Sequence, residues 1–500
     1  MWGLVLLALL AVGGVTLLAV NEDDGDSSSL VAFSEPPRVS ASEGYVEEHL
    51  TASEQVITAG TEKGRGRSYN GEFIGPTLVL EPGDDLGIEL ENNTAEPTNL
   101  HFHGFHVSPR QHSDQVVDVK VLPGESFPYR VHIPDGHDEG TYWYHSHMHH
   151  HTEDQVFGGM AGVALIGTPA VPAWIEDYED RVLALKDFEF QDGEMARDFN
   201  STKTTRTING LVNPEIEGAP NSIELWRLAN ISAGAFYKVE LEGHQLFVIG
   251  EDGNFQTEMW PTDNLVLPPG RRYDVLVQFG DAGTYELKTL KYRIAPDREF
   301  PESTLATVSV SGDPVEQESL KMQQKLMSER VPPVTGPSRR KVLTQDEEEG
   351  KFFLINGKAF SPKRIDDWVK LGTVEEWTFV NATTEEHPIH IHQNPFWVVA
   401  ENGRPIVPTG KQDVVIVPTK ERVANGWRNG SVTLRVPFKD FPGKFVYHCH
   451  ILFHEDHGMM GVINASKSGK KQRGAKGKRG AASPPPAPPA GHTHPLGHTH

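Results

Sequence analysis

Five hundred residues carry 69 acidic and 46 basic side chains, for a formal net charge of −23. That balance excludes a nucleic-acid partner, because neutralising phosphates requires a basic face, and the length accommodates roughly three domains with ample apolar core. The single cysteine, Cys449, excludes an intramolecular disulfide.

In chain order, Met1 to Val20 is uncharged and overwhelmingly apolar. About 20 such residues suffice for a membrane-spanning helix, and fewer for a secretory signal. Residues 1–20 are therefore expected to be a signal peptide or membrane anchor, and residues 21–34 an acidic, Ser-rich spacer. The expected location is extracytoplasmic: secreted, periplasmic or anchored on the outer face of a membrane. A basic n-region and a small-x-small cleavage site are both missing, so cleavage and anchoring stay open.

The middle of the chain repeats. Asn70-Gly71, Asn209-Gly210 and Asn356-Gly357 recur at offsets of 139 and 147 residues, each after a β-prone run. Alternating segments then end near Asn93, Asn230 and Asn381. Each unit closes with a glycine that leads into a strand, at Gly140, Gly283 and Gly443. Short alternating strands punctuated by Gly and Pro predict an all-β chain of three tandem Greek-key β-sandwiches. Expected bounds are 35–170, 171–312 and 346–465, with a connector at 313–345. Within it, Val315 to Arg330 has a helical pattern of Leu320, Met322, Leu326 and Met327. Beyond residue 466, a basic stretch gives way to Pro-rich sequence and two Gly-His-Thr-His copies (His492, His494, His498, His500), a tail to 500 that is expected to be disordered.

Chemistry concentrates in four histidine groups. His101-Phe102-His103 and His145-Ser146-His147 lie in the first unit. His387-Pro388-Ile389-His390-Ile391-His392 and His448-Cys449-His450, with His454 and Met459, lie in the third. On a strand, alternate side chains share a face, so His448 and His450 point one way and Cys449 the other. Two metal sites on opposite faces would be joined by a few covalent bonds. A thiolate flanked by imidazoles, with a thioether nearby, suits a blue-copper centre. Zinc also accepts Cys and His, but one zinc cannot use so many ligands. The second unit offers only His244, read as a structural turn histidine. His149, His150 and His151 extend the second motif without its phase.

In order and spacing these motifs resemble those of the multicopper oxidases, the family of laccases and metal oxidases, from about Phe33 to Ile463. The resemblance implies cupredoxin-like domains and four copper ions. Cys449, His387 and His454 would hold type 1 copper, with Met459 axial. His101 and His390 would hold type 2 copper, while His103, His145, His147, His392, His448 and His450 would hold a type 3 pair. Electrons from a donor at the His454 edge would pass through Cys449 to reduce dioxygen to water. Carboxylates are then needed as proton relays; the candidates are Glu455, directly after His454, and Asp114, eleven residues after His103. The expected function is a laccase-like oxidase of phenols or aromatic amines. The alternatives are a metal oxidase acting on Cu(I), Fe(II) or Mn(II), and an exported protein that sequesters copper without turnover.

Overall fold

The protein is described by a computed structural model covering residues 30–470, except 170, 176–177, 197–200, 322–324, 327–329, 347–351 and 425. The expectations for residues 1–20 and for the tail beyond 470 lie outside the described residues, as do Met322 and Met327. Among the described residues no helix is long and apolar enough to cross a membrane.

The chain is all-β, built as three sandwiches of one six-stranded and one five-stranded sheet. The Asn-Gly repeats explain the recurrence locally. Asn70, Asn209 and Asn356 sit at φ 54°, 54° and 56°, followed by Gly71, Gly210 and Gly357 at φ 82°, 80° and 68°. Positive φ at both central residues is what a tight hairpin turn demands. Each Asn Oδ1 also accepts a backbone N–H from a preceding strand, of Thr51, Ala184 and Val342 respectively, at 2.8 Å. A second repeated Asn buckles the far end. Asn92, Asn230 and Asn381 are each fully buried and donate to two backbone carbonyls. Asn92 and Asn230 head glycosylation sequons, but their amides face inward and are already used.

The first sandwich pairs Arg38–Ser40, Gly75–Leu80, Ala161–Ile166, Gly140–His145 and His101–His103 in one sheet. Its six-stranded sheet recruits Phe190–Gln191 and Glu194–Met195, which the sequence reading had placed in the second domain. Two further bounds shift, and one expected element is not found. Residues 31–35 are not a free spacer: Ala32 bridges Glu215, and Glu35 Oε1 accepts the Val182 N–H at 2.8 Å. The third sandwich begins inside the expected connector, because Ser338–Asp346 pairs in parallel with Thr373–Asn381. The expected connector helix is not found among the described residues of 315–330. Lys325 instead bridges Glu258, and the Leu320 N–H bonds the Gln278 side chain at 2.8 Å, so the second sandwich provides partners that a helix would have supplied internally.

One apolar core runs through the second and third sandwiches and takes in Cys449 and Met459. A smaller one, with Ile57, Trp143, Phe157, Ile231 and Leu452, seals the junction of all three. Trp226 and Trp377 are fully buried at equivalent places, their indoles donating to Glu224 and Glu375 at 2.6 and 2.9 Å. Truncating either to Ala would cost about 3–5 kcal/mol.

Candidate metal centre

Strand register brings the histidines together. His101–His103 pairs antiparallel with Gly140–His145, setting His101 opposite His145. In the third sandwich His390 lies opposite His448, and Ile389 opposite Cys449. Opposed side chains have Cβ atoms about 5 Å apart, so each pairing sets two imidazoles side by side. The two sandwiches then abut, with His101 stacked on His392 at 3.8 Å and His103 on His390 at 3.7 Å between ring centroids. All eight imidazoles are buried.

Their hydrogen bonds decide which nitrogen is left for a metal. Carbonyl oxygens only accept, so His145, His390 and His448 carry their proton on Nδ1, donating to Ser146 O (2.7 Å), Asp413 O (2.8 Å) and Cys449 O (3.0 Å). His101 Nδ1 donates to Asp114 at 2.8 Å. Their Nε2 lone pairs therefore face inward, and those of His101, His145 and His390 have no hydrogen-bond partner among the described residues. Elsewhere donor nitrogens converge: His147 and His392 Nε2 lie 3.3 and 3.2 Å from His448 Nε2, and His450 Nε2 lies 3.2 Å from His103 Nδ1. Metal bonds of about 2 Å in tetrahedral array separate ligand nitrogens by roughly 3.3 Å. Burial keeps the rings in the neutral, ligating form, pushing His147 down to about 4 and His448 to about 3. These residues fit metal ions.

On the other face of the same strand, Cys449 Sγ lies 3.6 Å from His387 Nδ1 and 3.5 Å from His454 Nδ1. Thr383 Oγ1 holds His387 Nε2 at 2.8 Å, which turns Nδ1 toward the sulfur. Burial pushes the Cys449 thiol well above its usual range, so a thiolate here requires a cation beside it. Met459 is fully buried in the same core, and its carbonyl accepts the Cys449 N–H at 3.0 Å. His454 departs from expectation. It is fully buried, with Phe353 stacked on its ring at 3.8 Å and Glu385 Oε2 3.4 Å from Nε2. Phe353, itself buried, and Glu385 therefore cover the imidazole.

Both candidate carboxylates reach the histidine cluster. Glu455 lies 3.0 Å from His448 Nδ1 and 3.4 Å from His147 Nδ1, and accepts a hydrogen bond from Thr152 at 3.2 Å. Burial raises its pKa. Asp114, despite the intervening His112, binds His101, the Phe102 N–H (3.0 Å) and the Gln393 amide (2.5 Å). Burial raises it to about 7. Next along, Asp456 accepts the His150 and Glu153 N–H groups at 2.7 and 2.9 Å, tying the helix Thr152–Gly158 to Leu452–Asp456. His149 lies against His150 with the rings tilted by 38°, and His244 is a turn residue that accepts the Gly280 N–H at 3.0 Å. Sequence reasoning missed Asp413, Arg272 and Phe353, because no spacing links them to the motifs, and missed Glu385 although it lies two residues before His387.

Family profiles described as multicopper oxidase match residues 51–170, 174–310 and 332–469. The chain belongs to the multicopper oxidase family. Copper is accordingly its cofactor, and the buried histidine groups are suited to it. The multicopper oxidase mco of Staphylococcus haemolyticus is 28% identical over 416 residues, covering 80% of this chain and 83% of that one. Among solved structures, a multicopper oxidase from Campylobacter jejuni described as a metallo-oxidase superposes with TM-score 0.73 at 26% identity, covering 88% of this chain and 98% of that one. A laccase-like multicopper oxidase from Ochrobactrum sp., with oxidase activity towards lignin model compounds, gives 0.72 at 25% identity, covering 87% and 100%.

Proposed function

We propose that this multicopper oxidase is laccase-like, taking electrons from phenols or aromatic amines at the Cys449 centre and delivering them to dioxygen at the histidine cluster. The observation that supports it is the pair of donor groups: Cys449 with His387 and His454, and Met459 buried in the same core, on one side of the strand Gly443–Cys449, and eight buried imidazoles on the other. We assign His101 and His390 to type 2 copper, and the triads His147, His392, His448 and His103, His145, His450 to the type 3 pair. When bound, copper supplies one-electron transfer at the thiolate and multi-electron reduction of dioxygen at the cluster. The chain supplies the rest. The Cys449 backbone links the two sites, Phe353 keeps water off His454, and Glu455 and Asp114 hold protons beside the cluster. The hydrophobic stretch at 1–20 belongs to the same reading, as an export signal or anchor.

Aromatic donors are favoured by the surroundings of His454. The buried Phe353 ring makes them apolar, and the Glu385 carboxylate is paired with Arg298 at 2.7 Å, so its charge is largely spent. Soft thioethers, which Cu(I) selects, are scarce: nine Met occur in the chain, and Met459 and Met460 are buried. A second reading, a metal oxidase, is favoured by the likeness to the Campylobacter metallo-oxidase. Dioxygen uptake by copper-loaded protein, with a dimethoxyphenol, Cu(I), Fe(II) and Mn(II) offered in parallel, separates the readings. The phenol should give the highest kcat/KM, and Cys449→Ser should be silent with every donor. A higher kcat/KM for any metal ion sinks the laccase-like reading, and bound copper with no dioxygen uptake from any donor would leave copper sequestration.

A further inference from the structure

We propose that Arg272, from the sandwich that contributes no copper ligand, is a positioning residue for the cluster, acting through Asp413 to orient His103 and His390. The inference rests on the ligand assignment above.

Asp413 is the carboxylate shared by two ligands from different sandwiches. Its Oδ1 lies 3.1 Å from His103 Nε2 and 3.5 Å from His390 Nδ1, and its backbone carbonyl accepts from His390 Nδ1 at 2.8 Å. Fixing those protons fixes the tautomers. His103 then turns Nδ1 toward His450, and His390 turns Nε2 toward the type 2 position. The hydrogen bond on the outer nitrogen determines which inner nitrogen ligates and at what angle.

Asp413 is itself held from the second sandwich. Arg272 grips it with a bidentate fork, Nη1 to Oδ1 and Nη2 to Oδ2, both at 2.8 Å. Its Nε donates to Thr141 O of the first sandwich at 3.1 Å. Asp252, also from the second sandwich, accepts the Asp413 and Val414 N–H groups at 3.0 Å and that of Arg272 at 3.0 Å. The fit is close. A Cβ on Gly270 would stand 3.0 Å from His450 Cδ2 and 3.1 Å from His103 Cε1, and one on Gly104 would collide with both Arg272 and Asp413. The backbone of the second sandwich therefore forms a wall of the cluster, and a planar fork on a carboxylate resists rotation in a way a point charge does not. Without Arg272, a buried carboxylate without its counter-ion would face two imidazoles that must present lone pairs inward.

The test compares Arg272→Met, Arg272→Lys, Asp413→Asn and the double variant Arg272→Met/Asp413→Asn, loaded identically. Readouts are copper per chain, the type 2 electron paramagnetic resonance signal, the blue absorbance of the Cys449 centre and Tm. Arg272→Met is expected to lose at least half of the type 2 signal while keeping the blue band. Arg272→Lys should lose less, and the double variant should regain type 2 copper relative to Arg272→Met, since the unpaired carboxylate is gone. Full type 2 copper in Arg272→Met overturns the proposal. So does loss of blue and type 2 signals in parallel with Tm, which marks a purely structural role. A wild-type protein without any type 2 signal would instead refute the ligand assignment.

Discussion

At the scale of single residues, burial sets the chemistry. Glu455 is enclosed between His147 and His448, where a carboxyl can hand protons to reduced oxygen. Glu455→Gln keeps the volume and removes the exchangeable acid, so reoxidation of the fully reduced enzyme by dioxygen should slow by about 10²–10⁴-fold, the usual worth of a positioned acid. Reduction of the blue centre by donor, followed by stopped flow, should be unchanged; equal slowing of both steps would remove Glu455 from the proton path. His137 governs a different property. It is buried beside Phe105 and Tyr142, its Nε2 accepts the His106 N–H at 2.9 Å, and burial pushes its pKa down to about 4. The folded value is depressed below the unfolded one of about 6.5, so its contribution is present above pH 6.5 and is lost as pH falls toward 4. That amounts to about 3 kcal/mol at most. Denaturant titrations at pH 7 and 4.5 should show a shallower pH dependence for His137→Gln than for wild type, and identical slopes would contradict this.

At the scale of elements, the Asn-Gly turns were readable because positive φ at two successive residues leaves few residue types eligible. Asn209 adds bonds no periodicity announces: its side chain accepts from Ala184 and donates to Val182 O (2.8 Å) and Ser34 O (3.1 Å), stitching the N-terminal arm to the second sandwich. Asn209→Ala should cost about 2–3 kcal/mol from lost hydrogen bonds and left-handed strain, read as a lower midpoint in urea at unchanged slope. The equivalent change at Asn356, where no N-terminal arm is held, should cost less. The expected connector helix failed for the converse reason. An amphipathic spacing of Leu and Met fits any segment that buries alternate stretches, and Leu320 and Leu326 found their apolar partners on the second sandwich.

For the whole molecule, the histidine cluster lies where the first and third sandwiches abut, so copper held there would act as a staple between them. Each ion bound at 1,000 times its Kd adds about 4 kcal/mol to the folded state. Copper removal by a chelator should therefore lower Tm markedly and split calorimetric unfolding into more than one transition; a Tm indifferent to copper would refute the staple. The sequence by itself determined the β-sandwich class, because strand alternation and turn residues are local rules, and it offered the histidines, Cys449 and Met459 as candidate donors through the likeness of their motifs to those of multicopper oxidases. It also supplied Glu455 and Asp114 as candidates by their nearness to the motifs. Only the tertiary structure decided that His454 is covered by Phe353 and Glu385, and that Arg272 reaches Asp413 across 141 residues of sequence. Those contacts depend on how whole sandwiches dock, and docking is fixed by apolar surfaces and buried ion pairs contributed from distant segments, which leave no period in the chain.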